Sequence, residues 1–173
     1  VSIVASGPNT ANPHAVPSDR VIEKGDFVLM DYGAGYCDYR SDMTRTVVMG
    51  EPTQEQLDLY ALVRRTHEEC VAAIHPGVEG NDIFKLSKKI IGDAGYGDYY
   101  NHGLGHGVGI DIHELPNFNR SKNTIEVGSV ITMEPGVYLP GMGCVRLEDY
   151  GVVTEDGYEP FTKTPHDLHV IDC

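Results

Sequence analysis

Two apolar segments of this 173-residue sequence each end in a carboxylate, and this feature constrains the fold more than any other. The segments are FVLMD, which ends at Asp31, and VITME, which ends at Glu134. A charge at the end of a buried strand is costly unless it is paired or bound to a metal ion. A second acid follows each one, Asp42 after eleven residues and Glu148 after fourteen. The spacing predicts two similar hairpins that carry two acids each.

Two helices are predicted between these hairpins. Thr53 and Gln56 match a capping box, and apolar residues recur at helical spacing through 53–75. A second helix is predicted over 81–94. Strands are expected at 2–5, 26–31, 44–49 and 129–134, with a returning hairpin arm at 144–154 and a short tail at 161–171. If the hairpins are related by a pseudo-twofold axis, the four carboxylates converge on one sheet face, where rigid strands hold ligands in place.

The segment NHGLGHGVGIDIHELP carries three histidines within twelve residues, namely His102, His106 and His113. The glycines between them are expected to let the backbone approach a ligand closely. The segment contains no GxGxxG pattern, which argues against a dinucleotide loop. It is not an HExxH motif either, because Asn117 stands where that motif needs its second histidine.

Other polar residues are less clear from the sequence alone. His14 is either a polar group in a turn or a donor in an active site. Arg146 lies two residues before Glu148, so on a strand the two side chains share a face. Its guanidinium therefore either reaches the ligand carboxylates and the substrate or lies solvated on the surface. His67 falls on the apolar face of the first helix and is expected in the core, and His166 lies in the tail.

Five residues form a ligand inventory for two divalent cations: Asp31, Asp42, His106, Glu134 and Glu148. Carboxylates and imidazole without thiolate suit manganese, cobalt or iron at least as well as zinc. Four carboxylates neutralise two divalent ions, which leaves the positive field needed to hold a hydroxide at neutral pH. The sequence therefore predicts a two-metal hydrolase.

Composition excludes several classes of protein. Thirteen basic and 26 acidic residues give a net charge of −13, which argues against nucleic-acid binding. No apolar stretch approaches the roughly 18–20 residues of a membrane span, and no signal peptide is visible. Residues 1–173 are expected to form a single domain, which we predict to be N-terminally truncated and cytoplasmic. The scattered cysteines are expected to be free thiols: Cys37, Cys70, Cys144 and Cys173.

Five segments together resemble the M24 metallopeptidases, and within them the Xaa-Pro dipeptidase (prolidase) and aminopeptidase P branch. They are IVASGPNTANPHAVPSD, GDFVLMDYGAGYCDYRSDMTRTV, NHGLGHGVGIDIHELP, ITMEPGVYLPG and GCVRLEDYGVV. The resemblance implies an α+β pita-bread fold, in which two pseudo-symmetric halves form a curved, mostly antiparallel sheet covered by helices. It also implies a dinuclear site, commonly with Mn²⁺ or Co²⁺, and a homodimer. Family members carry helices before the first strand, so the resemblance implies a catalytic domain lacking its N-terminal helices.

The resemblance also implies a role for each predicted ligand. Asp31 would chelate one ion, Asp42 and Glu148 would bridge both, and His106 with Glu134 would complete the second. A hydroxide held between the ions would attack the carbonyl carbon that precedes proline. Glu134 would take a proton from the bridging water and pass it to the leaving nitrogen.

Further residues are implied to contact the substrate, which would be a peptide with proline at its second position. His113 and His102 would contact the scissile carbonyl and the proline side, His14 would line the same pocket, and Arg146 would give support. Three alternatives stay open. The first is a methionine aminopeptidase, which shares the five ligands. The second is a non-catalytic pita-bread module that would bind other proteins. The third is an inactive fragment, which would not hydrolyse peptides.

Overall fold

The computed structural model describes residues 2–120 and 122–172. Within these ranges the strands are β1 Ile3–Ser6, β2 Phe27–Tyr32, β3 Gly35–Tyr36, β4 Tyr39–Arg40, β5 Met43–Met49, β6 Gly105–Gly107, β7 Glu114–Phe118, β8 Val130–Met133, β9 Gly136–Leu139, β10 Gly143–Arg146, β11 Asp149–Thr154, β12 Gly157–Pro160 and β13 Val170–Ile171. The α-helices are α1 Gln54–Ala72 and α2 Gly80–Asp93, and short 3₁₀-helices occupy Gly7–Ala11 and Gly97–Tyr99.

The first predicted hairpin forms the centre of a four-stranded sheet with the order β1-β2-β5-β13. Strands β1, β2 and β5 are antiparallel, and β13 joins the edge parallel to β5. The small β3–β4 hairpin lies between β2 and β5 along the chain. Asp31 is the penultimate residue of β2 and pairs across the ladder with Thr44, while Asp42 directly precedes β5. Both acids therefore lie at the same end of this sheet.

The second predicted hairpin differs from the first because both of its arms are interrupted. One arm is β8 followed by β9, and the returning arm is β10 followed by β11. Strand β10 pairs with β9, whereas β11 joins a five-stranded sheet of order β12-β11-β8-β6-β7. Pro135 lies in the first break and has no N–H to continue a ladder. Glu134 and Glu148 occupy the two breaks.

An isolated antiparallel bridge between Thr44 and Glu148 joins the two hairpins. The Glu148 N–H donates to the Thr44 carbonyl at 3.1 Å. Two strand positions further on, the Thr46 hydroxyl donates to the Arg146 carbonyl at 3.0 Å. The predicted convergence of the hairpins is therefore confirmed, and backbone contacts fix it.

Helix α1 covers both halves of the molecule. Its capping box is confirmed, since Thr53 Oγ1 accepts from the Gln56 N–H and the Gln56 side chain accepts from the Thr53 N–H. The N-terminal half of α1 packs into one apolar cluster and its C-terminal half into another. The first consists of Phe27, Val48, Leu59, Tyr60, Val63, Ile91, Tyr100, Val137, Val145 and Leu147. The second consists of Cys70, Ile74, Ile83, Leu104, Phe118, Ile125, Ile131, Met133 and Val153.

The cysteines and the helices bear on two further expectations. Cys37, Cys70 and Cys144 are free thiols, as predicted, and Cys173 lies outside the described residues. Neither α1 nor α2 combines the length and the apolar character that a bilayer crossing requires, and the described part of the chain contains no other α-helix.

Candidate metal centre

A cavity of about 980 Å³ is lined by both hairpins and by the glycine-rich segment. Every residue predicted from the sequence to contribute to the site lines this cavity. They are His14, Asp31, Asp42, His102, His106, His113, Glu134, Arg146 and Glu148. The fold thus brings together side chains separated by up to 134 positions in the sequence.

The acids and the imidazole of the predicted ligand set lie close together. One ligand atom from each of Asp42, His106 and Glu148 lies within 4.8 Å of the others, and all three residues are buried. The Nε2 atom of His106 lies 3.5 Å from Glu134 Oε1 and 3.8 Å from Asp42 Oδ2. Oxygen and nitrogen atoms at such separations can share one cation, because ligand atoms around an ion with bonds of about 2.1 Å lie roughly 3–4 Å apart.

The protonation state of His106 suits a metal ligand. Its Nδ1 lies 2.9 Å from the Gly107 carbonyl, which can only accept, so Nδ1 carries the hydrogen. The Nε2 lone pair therefore faces the acids. Burial lowers the pKa of His106 to about 4, which keeps the ring neutral at physiological pH. A neutral imidazole whose second nitrogen is held by a carbonyl is a common arrangement for a metal ligand.

The glycines on both sides of His106 have a packing role in addition to the approach to a ligand that the sequence predicts. A Cβ on Gly105 would lie 2.2 Å from the Thr132 carbonyl oxygen, and one on Gly107 would lie 2.4 Å from the Leu115 carbonyl oxygen. The absence of side chains thus lets β6 fit between its neighbours. These close contacts position His106, while Gly103 and Gly105 also line the cavity.

The carboxyl groups repel one another when no cation is present. Burial, and then the charge of Asp31, raise the pKa of Asp42 to about 6. Burial raises the pKa of Glu134 to about 8, with Asp42 and Asp31 adding to the effect. Burial and the neighbouring Glu134 and Asp42 hold the pKa of Glu148 well above its usual range. Cations bound among these groups would reverse this effect, because they favour the ionised form.

Arg146 is buried, so the alternative of a solvated surface arginine is wrong. Its Nη2 donates to Asp31 Oδ2, and its Nη1 donates to the Tyr138 hydroxyl at 2.8 Å. Burial by itself disfavours the cation, but Tyr138 and the surrounding carboxylates keep the pKa of Arg146 raised. Arg146 therefore supplies one fixed positive charge beside the acids.

Sequence reasoning missed Thr44 as a residue of the site. Its hydroxyl donates to Glu148 Oε2 at 2.6 Å and accepts from Arg146 Nε at 3.1 Å. This single hydroxyl therefore orients one acid and the guanidinium. Thr44 lies inside the RSDMTRT motif that Asp42 identified, so its place in that motif was the signal available.

His102 is held rigidly at the wall of the cavity. Its ring packs edge-on against Tyr100 and Tyr138, each at 5.3 Å between ring centroids. Its Nδ1 donates to the Gly103 carbonyl at 2.6 Å, and burial lowers its pKa to about 4. Its buried Nε2 has no hydrogen-bond partner among residues 2–120 and 122–172, so it remains a free acceptor.

The other two histidines are more accessible. The ring of His113 lies 4.3 Å from that of His106, and its side chain is exposed. His14 is exposed too, on the loop that follows the first 3₁₀-helix. Both line the opening of the cavity, where a ligand would enter.

Comparison with known proteins agrees with the fold and the motifs. The sequence profile of metallopeptidase family M24 matches residues 1–155. An Xaa-Pro dipeptidase of Pyrococcus furiosus is 45% identical over 168 residues, which are 96% of this chain and 48% of that protein. The crystal structure of an X-Pro aminopeptidase from Thermotoga maritima superposes with a TM-score of 0.95 at 36% identity, covering 98% of this chain and 49% of that one. An Xaa-Pro dipeptidase from Bacillus anthracis gives 0.95 at 43% identity, covering 98% and 48%.

The fold shared with these structures is the pita-bread fold, so the predicted α+β class is confirmed. The chain belongs to metallopeptidase family M24. It spans about half the length of the curated relatives that it matches.

Proposed function

We propose that this chain is the catalytic part of a metal-dependent peptidase that hydrolyses Xaa-Pro bonds. The observation that carries the proposal is the convergence of Asp42, His106 and Glu148 in one cavity, together with Asp31 and Glu134. Family membership supports peptide hydrolysis, and relatives named Xaa-Pro dipeptidase and X-Pro aminopeptidase support the specificity for proline.

The five ligands fit two divalent cations. Four carboxylates and the Arg146 guanidinium carry a formal −3, which two divalent ions and one hydroxide would neutralise. In this proposal Asp31, Asp42, His106, Glu134 and Glu148 would hold the two ions, with Asp42 and Glu148 shared between them, Asp31 on the first and His106 and Glu134 on the second. Mn²⁺ or Co²⁺ suits this oxygen-rich set, and Zn²⁺ or Fe²⁺ is also compatible with it. Bound ions supply an activated water and polarise a carbonyl oxygen.

Glu134 is the proposed proton carrier. It lies in the break between β8 and β9, where its N–H donates to the Leu104 carbonyl at 2.7 Å and fixes the backbone. As water oxygen adds to the carbonyl carbon, Glu134 accepts a proton. It then donates this proton to the prolyl nitrogen while the C–N bond breaks. General acid–base transfer of this type contributes about 10²–10⁴-fold to the rate.

The histidines of the cavity bind the reacting peptide in this proposal. His113, beside His106 and accessible from the opening, donates a hydrogen bond to the developing oxyanion. His102, held at the cavity wall, contacts the proline side of the substrate. His14 lines the entrance.

An assay of the metal-reconstituted chain tests the proposal. The substrates are an Xaa-Pro dipeptide, a longer Xaa-Pro-Yaa peptide, a matched Xaa-Ala dipeptide and a Met-Ala-Ser peptide. We expect metal-dependent hydrolysis of Xaa-Pro substrates that chelator abolishes, and no comparable turnover of the Xaa-Ala control. Turnover of both lengths indicates an aminopeptidase, and turnover of dipeptides alone indicates a dipeptidase.

The remaining outcomes identify the alternatives. Preferential release of methionine from Met-Ala-Ser would replace the proposal by a methionine aminopeptidase. Metal binding without turnover of any peptide would contradict the proposal and favour the non-catalytic binding module or an inactive fragment.

A further inference from the structure

A second cluster of ligand-type side chains lies outside the carboxylate cavity. It consists of His67 on α1, Asp149 at the start of β11 and His166 in the C-terminal tail. One ligand atom of each lies within 4.8 Å of the others. The M24 profile ends at residue 155, so His166 lies in a segment beyond the matched region.

The cluster lies on the opposite side of the strand from the cavity. Glu148 and Asp149 are consecutive, and consecutive residues of an extended chain point to opposite faces. Glu148 faces the cavity, where Thr44 donates to it, and Asp149 faces α1 and the tail. Arg45, the neighbour of Thr44, donates to Asp149 Oδ1 at 2.7 Å. The same pair of strands therefore serves both clusters with different side chains.

The observation that indicates a bound ligand comes from His67. Its side chain is 3% exposed, and neither Nδ1 nor Nε2 has a hydrogen-bond partner within the described ranges. Leaving buried polar groups unpaired is costly, so such a histidine needs an explanation. Its Nε2 lies 3.5 Å from Asp149 Oδ2, which is long for a hydrogen bond. It agrees with the separation of about 3.4 Å between two ligands of a tetrahedral zinc ion.

Arg45 orients the carboxylate of Asp149 toward the two imidazoles. It holds Oδ1, so that Oδ2 is directed to both imidazoles. The same guanidinium donates to the carbonyls of Thr164 and Pro165, which fixes the tail beside His166. Burial lowers the pKa of His67 to about 4, so its ring is neutral and needs no deprotonation to bind a cation.

We propose that His67, Asp149 and His166 bind a single divalent transition-metal ion of the zinc class, which ties the C-terminal tail to α1 and β11. Two imidazole nitrogens and one carboxylate oxygen favour Zn²⁺, Co²⁺ or Ni²⁺ over Mg²⁺, Ca²⁺ or Mn²⁺. His166 is 25% exposed, which gives the ion a path from solvent and leaves room for water as a fourth ligand.

Binding requires one local rearrangement. His166 Nε2 lies 2.6 Å from Asp149 Oδ2, the distance of a hydrogen bond in which a proton bridges the two atoms. The ion replaces this proton, which exchanges through solvent to the Nδ1 position of the ring. The neutral ring of His166 then carries its hydrogen on Nδ1, and its Nε2 moves away from the carboxylate by about 0.8 Å to reach the ligand spacing of zinc.

Counting bound ions tests the site. The wild type, His67→Leu and His166→Gln are equilibrated with buffered micromolar free Zn²⁺, and zinc per chain is measured by mass spectrometry. His169→Gln, which changes an exposed histidine of the same tail, is the control. We expect both cluster variants to bind one ion fewer per chain than the wild type and the control. Equal counts in all four proteins would overturn the proposal and leave a hydrogen-bonded clamp without metal.

The result does not depend on the proposed peptidase activity, because it is a difference between variants whatever the cavity binds. A second measurement on the wild type covers failure of a variant to fold. In ¹⁵N-edited spectra of the histidine side chains, Zn²⁺ should shift the Nε2 resonances of both His67 and His166. Resonances of these two rings that stay unmoved at saturating Zn²⁺ would reject the site.

Discussion

His106 can bind a metal ion through Nε2 only if that atom carries a lone pair, and a backbone carbonyl decides this. The Gly107 carbonyl accepts from Nδ1, which leaves Nε2 directed at Glu134 and Asp42. Thr44 performs a similar task for Glu148 through its hydroxyl. At the scale of single residues, the site therefore depends on neighbours that fix tautomer and orientation as much as on the ligands themselves.

Replacing Glu134 by glutamine separates proton transfer from metal binding. The amide keeps one oxygen as a ligand atom but cannot carry a proton, so we expect hydrolysis to fall by about 10²–10⁴-fold. Most of the bound metal should remain, as measured by metal analysis of the same sample. The matched control is Glu126→Gln, an exposed glutamate that should leave both quantities unchanged. Full activity of Glu134→Gln would refute the proton-carrier role.

At the scale of the elements, strand β6 and helix α1 hold the candidate ligands in position. Strand β6 is only three residues long, yet it carries His106 between two ladders, because β8 and β7 approach closely on both sides. Helix α1 packs against both apolar clusters and so fixes the two halves of the fold. Substitutions in either element should therefore change the free energy of unfolding or the geometry of the cavity.

Gly105→Ala should damage β6. The new Cβ would lie 2.2 Å from the Thr132 carbonyl oxygen, and backbone cannot move away as a flexible side chain can. We expect a loss of about 1–3 kcal/mol in the free energy of unfolding and weaker metal binding through displaced His106. Gly92→Ala in α2 is the control, because a Cβ there meets nothing within 4 Å. It should be neutral or stabilising by up to ~1 kcal/mol. Equal denaturation midpoints for the two variants would contradict this account.

The capping box of α1 offers a test away from the cavity. Thr53→Ala removes the acceptor for the Gln56 N–H, and we expect a loss of about 1 kcal/mol in stability. Thr53→Ser retains the acceptor and should stay near the wild type. Neither change should alter catalytic constants, since Thr53 does not line the cavity. Chemical denaturation and steady-state kinetics on the same preparations measure both effects, and an unaltered midpoint for Thr53→Ala would show that the cap contributes nothing.

At the scale of the whole molecule, the two hairpins bring like charges together, and this makes stability depend on pH and metal. The folded-state pKa values of Glu134 and Glu148 are raised by burial, so the folded protein holds protons that the unfolded chain has lost. The free energy of unfolding of the metal-free protein must then fall as pH rises from the ordinary pKa of glutamate toward these raised values. Below about pH 6.5 the lowered pKa values of His102 and His106 act in the opposite direction.

The metal-free protein should therefore lose thermal stability between pH 6.5 and pH 8. With saturating Mn²⁺ the trend should disappear or reverse, because cations bind the ionised carboxylates more tightly as pH rises. Melting curves at several pH values, with and without chelator, make the comparison. As a control, Glu134→Gln without metal should show a shallower fall. A metal-free melting temperature that rises steadily from pH 6.5 to 8 would contradict the assignment of these raised pKa values.

The sequence by itself determined the local structure and the inventory of the site. Apolar alternation, the capping box and helical spacing gave both helices and the strands at 2–5, 26–31, 44–49 and 129–134 close to their observed bounds, because these signals are local. They missed β6, β7 and β12, and only Val170–Ile171 of the predicted tail at 161–171 forms a strand. The motifs around Asp31, Asp42, His106, Glu134 and Glu148 named the candidate ligands, whose roles remain a proposal. Their number and symmetry also favoured convergence.

Only the tertiary structure decided how these residues act together. It buried Arg146 against Asp31, brought Thr44 to Glu148, and interrupted the second hairpin at its two acids. It also joined His67 to Asp149 and His166, a group that no motif predicts. The physical reason is that burial and contacts across long sequence separations depend on how strands and helices pack, and a local pattern does not encode that geometry.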